Sequence, residues 1–313
     1  MIAGVIAPAL SANILLALAA AASWGGGDFS GGMGVKAAGG STAGALRVVV
    51  IAHASSLAVL LAVLGFEHAP LPHGAPLAWG LVAGVTAGIS LTAFYIALAR
   101  GAMGGSAALS GLLAAAIPAA VSSFLEGVPA LLRIAGFVLA LAAIWLIAAG
   151  PSPESGHAVD GSEPSESART TLVLAIVGGV GFGIYFVGLR LANPLGVLEP
   201  VAVARSASLV TCAVLLVIVS LRSRAASAVT KRATKITRMV VVCALGVALL
   251  DTGGNLLYIA ATRSGRLDIA AVLASLYPAG TILLAAWHLH ERPTRRQLAG
   301  MAIAAAAVVM ITV

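Results

Sequence analysis

The chain has 313 residues, of which 60% are hydrophobic and 9% charged, and its mean hydropathy is +1.06. A soluble domain carries about a quarter charged residues, so no polar surface can cover this chain and its solvent is lipid. The net charge of +7 does not point to nucleic acid: six of the 18 Lys and Arg lie between Arg222 and Arg238, where basic loop residues set topology against anionic lipid.

A spanning helix needs roughly 20 apolar residues to cross the hydrocarbon layer. Apolar runs bounded by Gly, Pro or charge fall at about 11–34, 43–65, 76–99, 104–125 and 131–150. The first follows no basic segment, so it is expected to act as its own insertion signal rather than as a cleaved leader. A polar stretch from Pro151 to Arg169, holding Glu154, Asp160, Glu163 and Glu166, reads as a linker. Further runs lie at about 170–192, 199–221, 238–262, 268–288 and 296–313. Five plus five gives an all-α polytopic membrane protein of ten transmembrane helices: repeat 1–150, linker 151–169, repeat 170–313. An odd number of passes per unit makes the second unit enter the membrane inverted.

The halves repeat each other. Tyr95-Ile96-Ala97-Leu98-Ala99-Arg100 matches Tyr258-Ile259-Ala260-Ala261-Thr262-Arg263 at an offset of 163 residues. Downstream, Ala107-Ala108 pairs with Ala270-Ala271, Glu126 with Glu291, and Ala135-Gly136 with Ala299-Gly300, while Arg47 and Arg205 open equivalent runs. Duplicated halves suit a two-sided transport machine. Gly80, Gly84 and Gly88, and the pairs Gly27/Gly31 and Gly179/Gly183, are spaced four apart, as close helix packing in lipid requires. With the termini outside, loop charges divide into about twelve inside and four outside, in keeping with the positive-inside rule.

The stretch from Leu256 to Val313 contains Leu257-Tyr258-Ile259-Ala260, Ala271-Val272-Leu273-Ala274-Ser275-Leu276-Tyr277-Pro278, His290-Glu291-Arg292-Pro293 and Gln297-Leu298-Ala299-Gly300. It resembles the end of an EamA domain, the repeat unit of the drug/metabolite transporter superfamily. The first half resembles a divergent copy, with Trp24-Gly25 near the place of a Trp-Gly pair in the family's first helix. It departs in that Pro118 precedes Glu126 by eight residues, whereas Pro278 precedes Glu291 by thirteen. The resemblance implies ten helices, a central cavity, alternating-access movement of small metabolites, often outward, and termini in the cytoplasm, opposite to the charge count.

A carboxylate at a helix midpoint costs roughly 2.5–3.5 kcal/mol on insertion scales, so it usually faces a cavity or a partner. Asp251, Asn255 and Tyr258 share one face, around Gly253-Gly254: either a polar stripe along a solute path, with Asp251 binding a cation or cycling a proton, or an Asp paired with Arg for assembly. Asp28 follows Trp24-Gly25-Gly26-Gly27 and precedes Phe29. The triple glycine is expected to loosen that helix and expose carbonyls, with Trp24 and Phe29 stacking on a ligand, or else the helix ends there in interfacial water. Arg47 and Arg205 would clamp an anionic solute bidentately, or snorkel to headgroups. Tyr185 and Tyr277 lie deep enough to line a cavity, whereas Tyr95, Tyr258, Arg100 and Arg263 sit at span ends as belt and anchor residues. His53 is a packing or proton-relay histidine. Glu126 and Glu291 read as structural ties.

His288 and His290 diverge by about 200° around a helix, so with Glu291 they form an interfacial turn and not a metal site. Cys212 and Cys243 lie within apolar runs, which leaves no disulfide framework or CxxC site. The sequence has neither a phosphate-binding loop nor a nucleophile–base or HExxH arrangement. The expectation is a cofactor-free secondary transporter, an exporter of small metabolites or drugs in the plasma (inner) membrane. Its partners are a solute, a coupling proton or cation, the lipid bilayer and a second copy of the chain. A non-transporting scaffold subunit and an intramembrane enzyme are the alternatives.

Overall fold

The computed structural model describes residues 11–69, 71–100, 103–148, 166–226, 236–288 and 294–312, and among these there is no strand. The first half holds α1 (Ala12–Ala37), α2 (Thr42–Phe66), α3 (Gly74–Arg100), α4 (Met103–Leu125) and α5 (Leu131–Ala148). The second holds α6 (Glu166–Ala192), a 3₁₀ turn (Asn193–Leu195), α7 (Leu198–Ala226), α8 (Arg238–Ser264), α9 (Leu267–Ala274), α10 (Tyr277–His288) and α11 (Arg295–Thr312). Among the described residues, six segments are long and apolar enough to cross a membrane: Thr42–Phe66, Gly74–Arg100, Arg169–Leu195, Leu198–Arg222, Arg238–Ser264 and Leu267–His288.

The structure differs from the sequence expectation in three places. Helix α6 begins at Glu166, so the last residues of the expected linker are helical; residues 151–165 lie outside the described residues. The run at 268–288 is two helices, because Pro278 has no amide to donate to the Ala274 carbonyl, which interrupts the ladder there and leaves Pro278 in the first turn of the second helix. Around the break Leu276 N–H donates to Leu273 O at 3.2 Å and Ala279 N–H to Leu276 O at 3.0 Å. Helix α4, by contrast, runs through Pro118. The triple glycine does not loosen α1, which is continuous.

Small residues set the packing. Helix α1 runs antiparallel to α8, with Gly27 against Asp251 and Gly34 against Cys243. Helix α3 is antiparallel to α6, with Gly188 against Ala83 and Gly178 against Phe94. Gly80, Gly84 and Gly88 face Val203, Ala204 and Ser208 of α7, while Gly179 and Gly183 face Ser110 and Ile117 of α4. Helix α2 also packs on α7, and α5 on α11. Every one of these interfaces joins the first half to the second.

Polar ties gather at the end where α4 and α6 finish and α9 starts. Glu126 accepts from Arg190 at 3.0 Å, from Ser122 at 3.0 Å and from the Leu267 amide at 2.9 Å. Arg266 holds Asp268 at 2.7 Å and donates to the Glu126 carbonyl at 2.9 Å. Asn193 donates to Thr262 at 2.9 Å, and Arg263 caps the Asn193 carbonyl. Glu126 is therefore an interhelix tie; Glu291 and His290 lie outside the described residues.

Candidate functional site

The crossing of α1 and α8 forms one wall of a cavity with about 300 Å³ of unfilled space, its mouth included. Six residues expected from the sequence line it: Trp24, Asp28, Tyr185, Asp251, Asn255 and Tyr277. Leu91 of α3 and Phe182 and Phe186 of α6 complete the wall. Both halves contribute. The glycines before Asp28 make this possible, since a methyl on Gly25 would sit 2.8 Å from the Tyr277 carbonyl oxygen and 2.9 Å from Gly280 Cα. Backbones this close leave no room for side chains between them. The break before α10 brings Tyr277 to the same place, and Thr281 donates to the Gly25 carbonyl at 3.2 Å.

The aromatic side chains form a continuous surface. Trp24 and Phe186 stack with ring centres 4.9 Å apart and planes 10° apart. Tyr185 and Tyr258 lie 5.9 and 4.7 Å from Phe186. The Trp24 indole N–H donates to Asn255 Oδ1 at 3.1 Å, and Asn255 Nδ2 donates to Asp251 at 3.4 Å. The face shared by Asp251 and Asn255 is thus turned toward α1.

Asp251 both lines the cavity and pairs with Arg205, uniting two readings that the sequence left apart. The Arg205 guanidinium, only 4% exposed, bonds the Asp251 carboxylate and donates to Thr252 at 3.3 Å. Its other terminal nitrogen lies 2.6 Å from His53 Nε2. Arginine can only donate, so His53 Nε2 accepts, which makes His53 the neutral Nδ1–H tautomer giving its proton to Ser208 Oγ at 2.8 Å. His53 is a positioning residue that orients Arg205.

Three expected cavity residues lie elsewhere. Arg205 stands behind Asp251 and is not among the lining residues, its guanidinium held by Asp251, Thr252 and His53. Arg47, partly exposed near the start of α2, is also absent from the lining. Phe29 points away from the cavity and meets His288 edge-on at 5.8 Å. Tyr95 and Tyr258 are fully buried rather than interfacial, because α3 and α8 continue past them into packed regions; the Tyr258 hydroxyl donates to the Phe186 carbonyl at 3.4 Å. Leu91, Phe182 and Phe186 were not expected. Phe182, Tyr185 and Phe186 fall at i, i+3 and i+4, a spacing that could have marked an aromatic face. No group of His, Cys, Asp and Glu suited to a metal ion occurs among the described residues.

Comparison with known proteins bears on the second half first. Residues 169–313 match the sequence model of the EamA-like transporter family. Among curated proteins no match is found. A solved structure described only as "Crystal structure of protein" has a TM-score of 0.69 at 16% identity, covering 97% of this chain and 99% of that chain. At that identity the likeness speaks to the fold alone. Residues 169–313 are an EamA domain of the drug/metabolite transporter superfamily, and the chain that carries it is a multi-pass membrane protein.

Proposed function

We propose that the chain is a secondary transporter that moves a small solute outward across the plasma membrane by alternating access, through the cavity between two inverted five-helix repeats, 1–150 and 170–313. Ten passes follow if α9 and α10 together make one broken span. Packing direction supports the inversion. Helix α4 runs antiparallel to its counterpart α9–α10, with Glu126 against Leu267 and Gly111 against Ser275 and Pro278, so these two equivalent segments run in opposite directions. The family match to a transporter model over residues 169–313 supports the activity. The observation that carries the reading is a cavity lined from both halves, with the carboxylates of Asp28 and Asp251 set among aromatic rings. Asp251 is offset by Arg205, but a scaffold has no use for Asp28, a buried carboxylate facing an open space, since burying charge costs free energy unless a ligand or partner offsets it.

An ion gradient or solute exchange supplies the energy in this reading. Solute flux into proteoliposomes tests it: saturable uptake in the unaltered protein, lost in a folded Asp251→Asn variant, is the expected result. Absence of saturable uptake for every solute class offered would overturn the proposal.

A further inference from the structure

The cavity's charges leave one unanswered. Asp251 is neutralised by Arg205, and His53 behind them is uncharged by its hydrogen bonds. Asp28 is 7% exposed, faces the cavity, and has neither an ion pair nor a hydrogen bond among the described residues. Among the described residues, no Arg, Lys or His lines the space. What does line it is aromatic: Trp24 stacked on Phe186, then Tyr185, Phe182 and Tyr277. A lone carboxylate inside an aromatic wall is complementary to positive charge carried on an apolar body, since ring faces attract cations and the carboxylate supplies the counter-charge.

Resting on the transporter reading, we propose that the occupant of this cavity is a small monovalent organic cation, an amine or quaternary ammonium, with Asp28 as its counter-ion. An anion would meet two carboxylates. A zwitterion would bring its own carboxylate into the same field, where the buried guanidinium is already committed to Asp251. A bare metal cation wants several oxygen ligands, whereas Asp251 is held by Arg205 and Asn255 Oδ1 by the Trp24 indole, which leaves Asp28 as the uncommitted carboxylate among the rings.

Isothermal titration calorimetry on the purified full chain in nanodiscs tests this with three probes of one ring each: benzyltrimethylammonium, phenylalanine and phenylpropionate. The expected result is saturable binding of benzyltrimethylammonium at least about tenfold tighter than either other probe, weakened by about tenfold or more in Asp28→Asn. Equal binding of the three, preference for the zwitterion or anion, or undiminished cation binding in a folded Asp28→Asn variant would overturn it. If Asp28→Asn does not fold, the ranking of the probes on the unaltered chain decides alone. Cation binding without uptake into proteoliposomes would overturn the transport reading and sustain this one. Saturable uptake of a zwitterion or anion, unaffected by excess benzyltrimethylammonium, would do the reverse.

Discussion

Trp24 and Asn255, 231 positions apart in sequence, share a buried hydrogen bond of 3.1 Å that fixes the indole ring against the cavity. The bond joins α1 to α8 across the two halves, and the amide of the same asparagine reaches Asp251. Trp24→Phe keeps a ring and removes the donor, leaving Asn255 Oδ1 unanswered at a buried site. The expected cost is about 1–3 kcal/mol, read as a lowered midpoint in thermal unfolding of the purified protein; an unchanged midpoint would mean that the bond contributes nothing.

Arg205 and Asp251 should behave as a coupled pair. Removing one partner leaves a buried charge uncompensated, at about 3–5 kcal/mol. Arg205→Met alone is therefore expected to destabilise strongly, and Arg205→Met with Asp251→Leu to recover most of the loss. Denaturant or thermal unfolding of the four proteins closes the cycle, and additive losses would contradict the pairing.

Gly25 and Gly65 predict opposite outcomes for the same change. A methyl on Gly25 would press on backbone atoms of α10, which cannot swing aside, whereas one on Gly65 meets nothing within 4 Å. Gly25→Ala is expected to cost about 1–3 kcal/mol through overpacking, and Gly65→Ala to be neutral or stabilising by up to about 1 kcal/mol through helix propensity. Their unfolding midpoints should move apart in those directions.

Glu126 lies in the turn after α4. Burial raises its pKa, but the Leu267 amide, Arg190 and Ser122 outweigh that and hold it below the ordinary 4.5. A depressed folded value means that the group stabilises the fold above its unfolded pKa and ceases to do so as pH falls through the folded one. The stability gap between the unaltered protein and Glu126→Gln should therefore be open at about pH 7 and close toward about pH 3. A gap independent of pH would show that the carboxylate's charge is not what ties α4 to α9.

Much of this fold is legible because lipid imposes long uniform helices whose ends are marked locally by Gly, Pro and charge. Asp251, Asn255 and Trp24 were also legible, since polar and indole groups in an apolar span stand out. Leu91, Phe182 and Phe186 were not: an apolar side chain in an apolar helix looks alike whether it meets lipid, a neighbour or a cavity, and only packing decides. Tyr95 and Tyr258 were misplaced for the same reason, their position near span ends suggesting a membrane interface that tertiary contact replaces with core. The division of the 268–288 run was legible in principle from Pro278, but Pro118 in an unbroken α4 shows that proline alone does not dictate a break.

The central claim is that one cavity between the halves opens alternately to the two sides of the membrane. Its most direct measurement places a single cysteine at Leu91, with Cys212 and Cys243 replaced, and follows labelling by a membrane-impermeant thiol reagent in right-side-out and inside-out vesicles. The account predicts labelling from both sides, slowed by bound solute; labelling confined to one side, or absent from both, would contradict it.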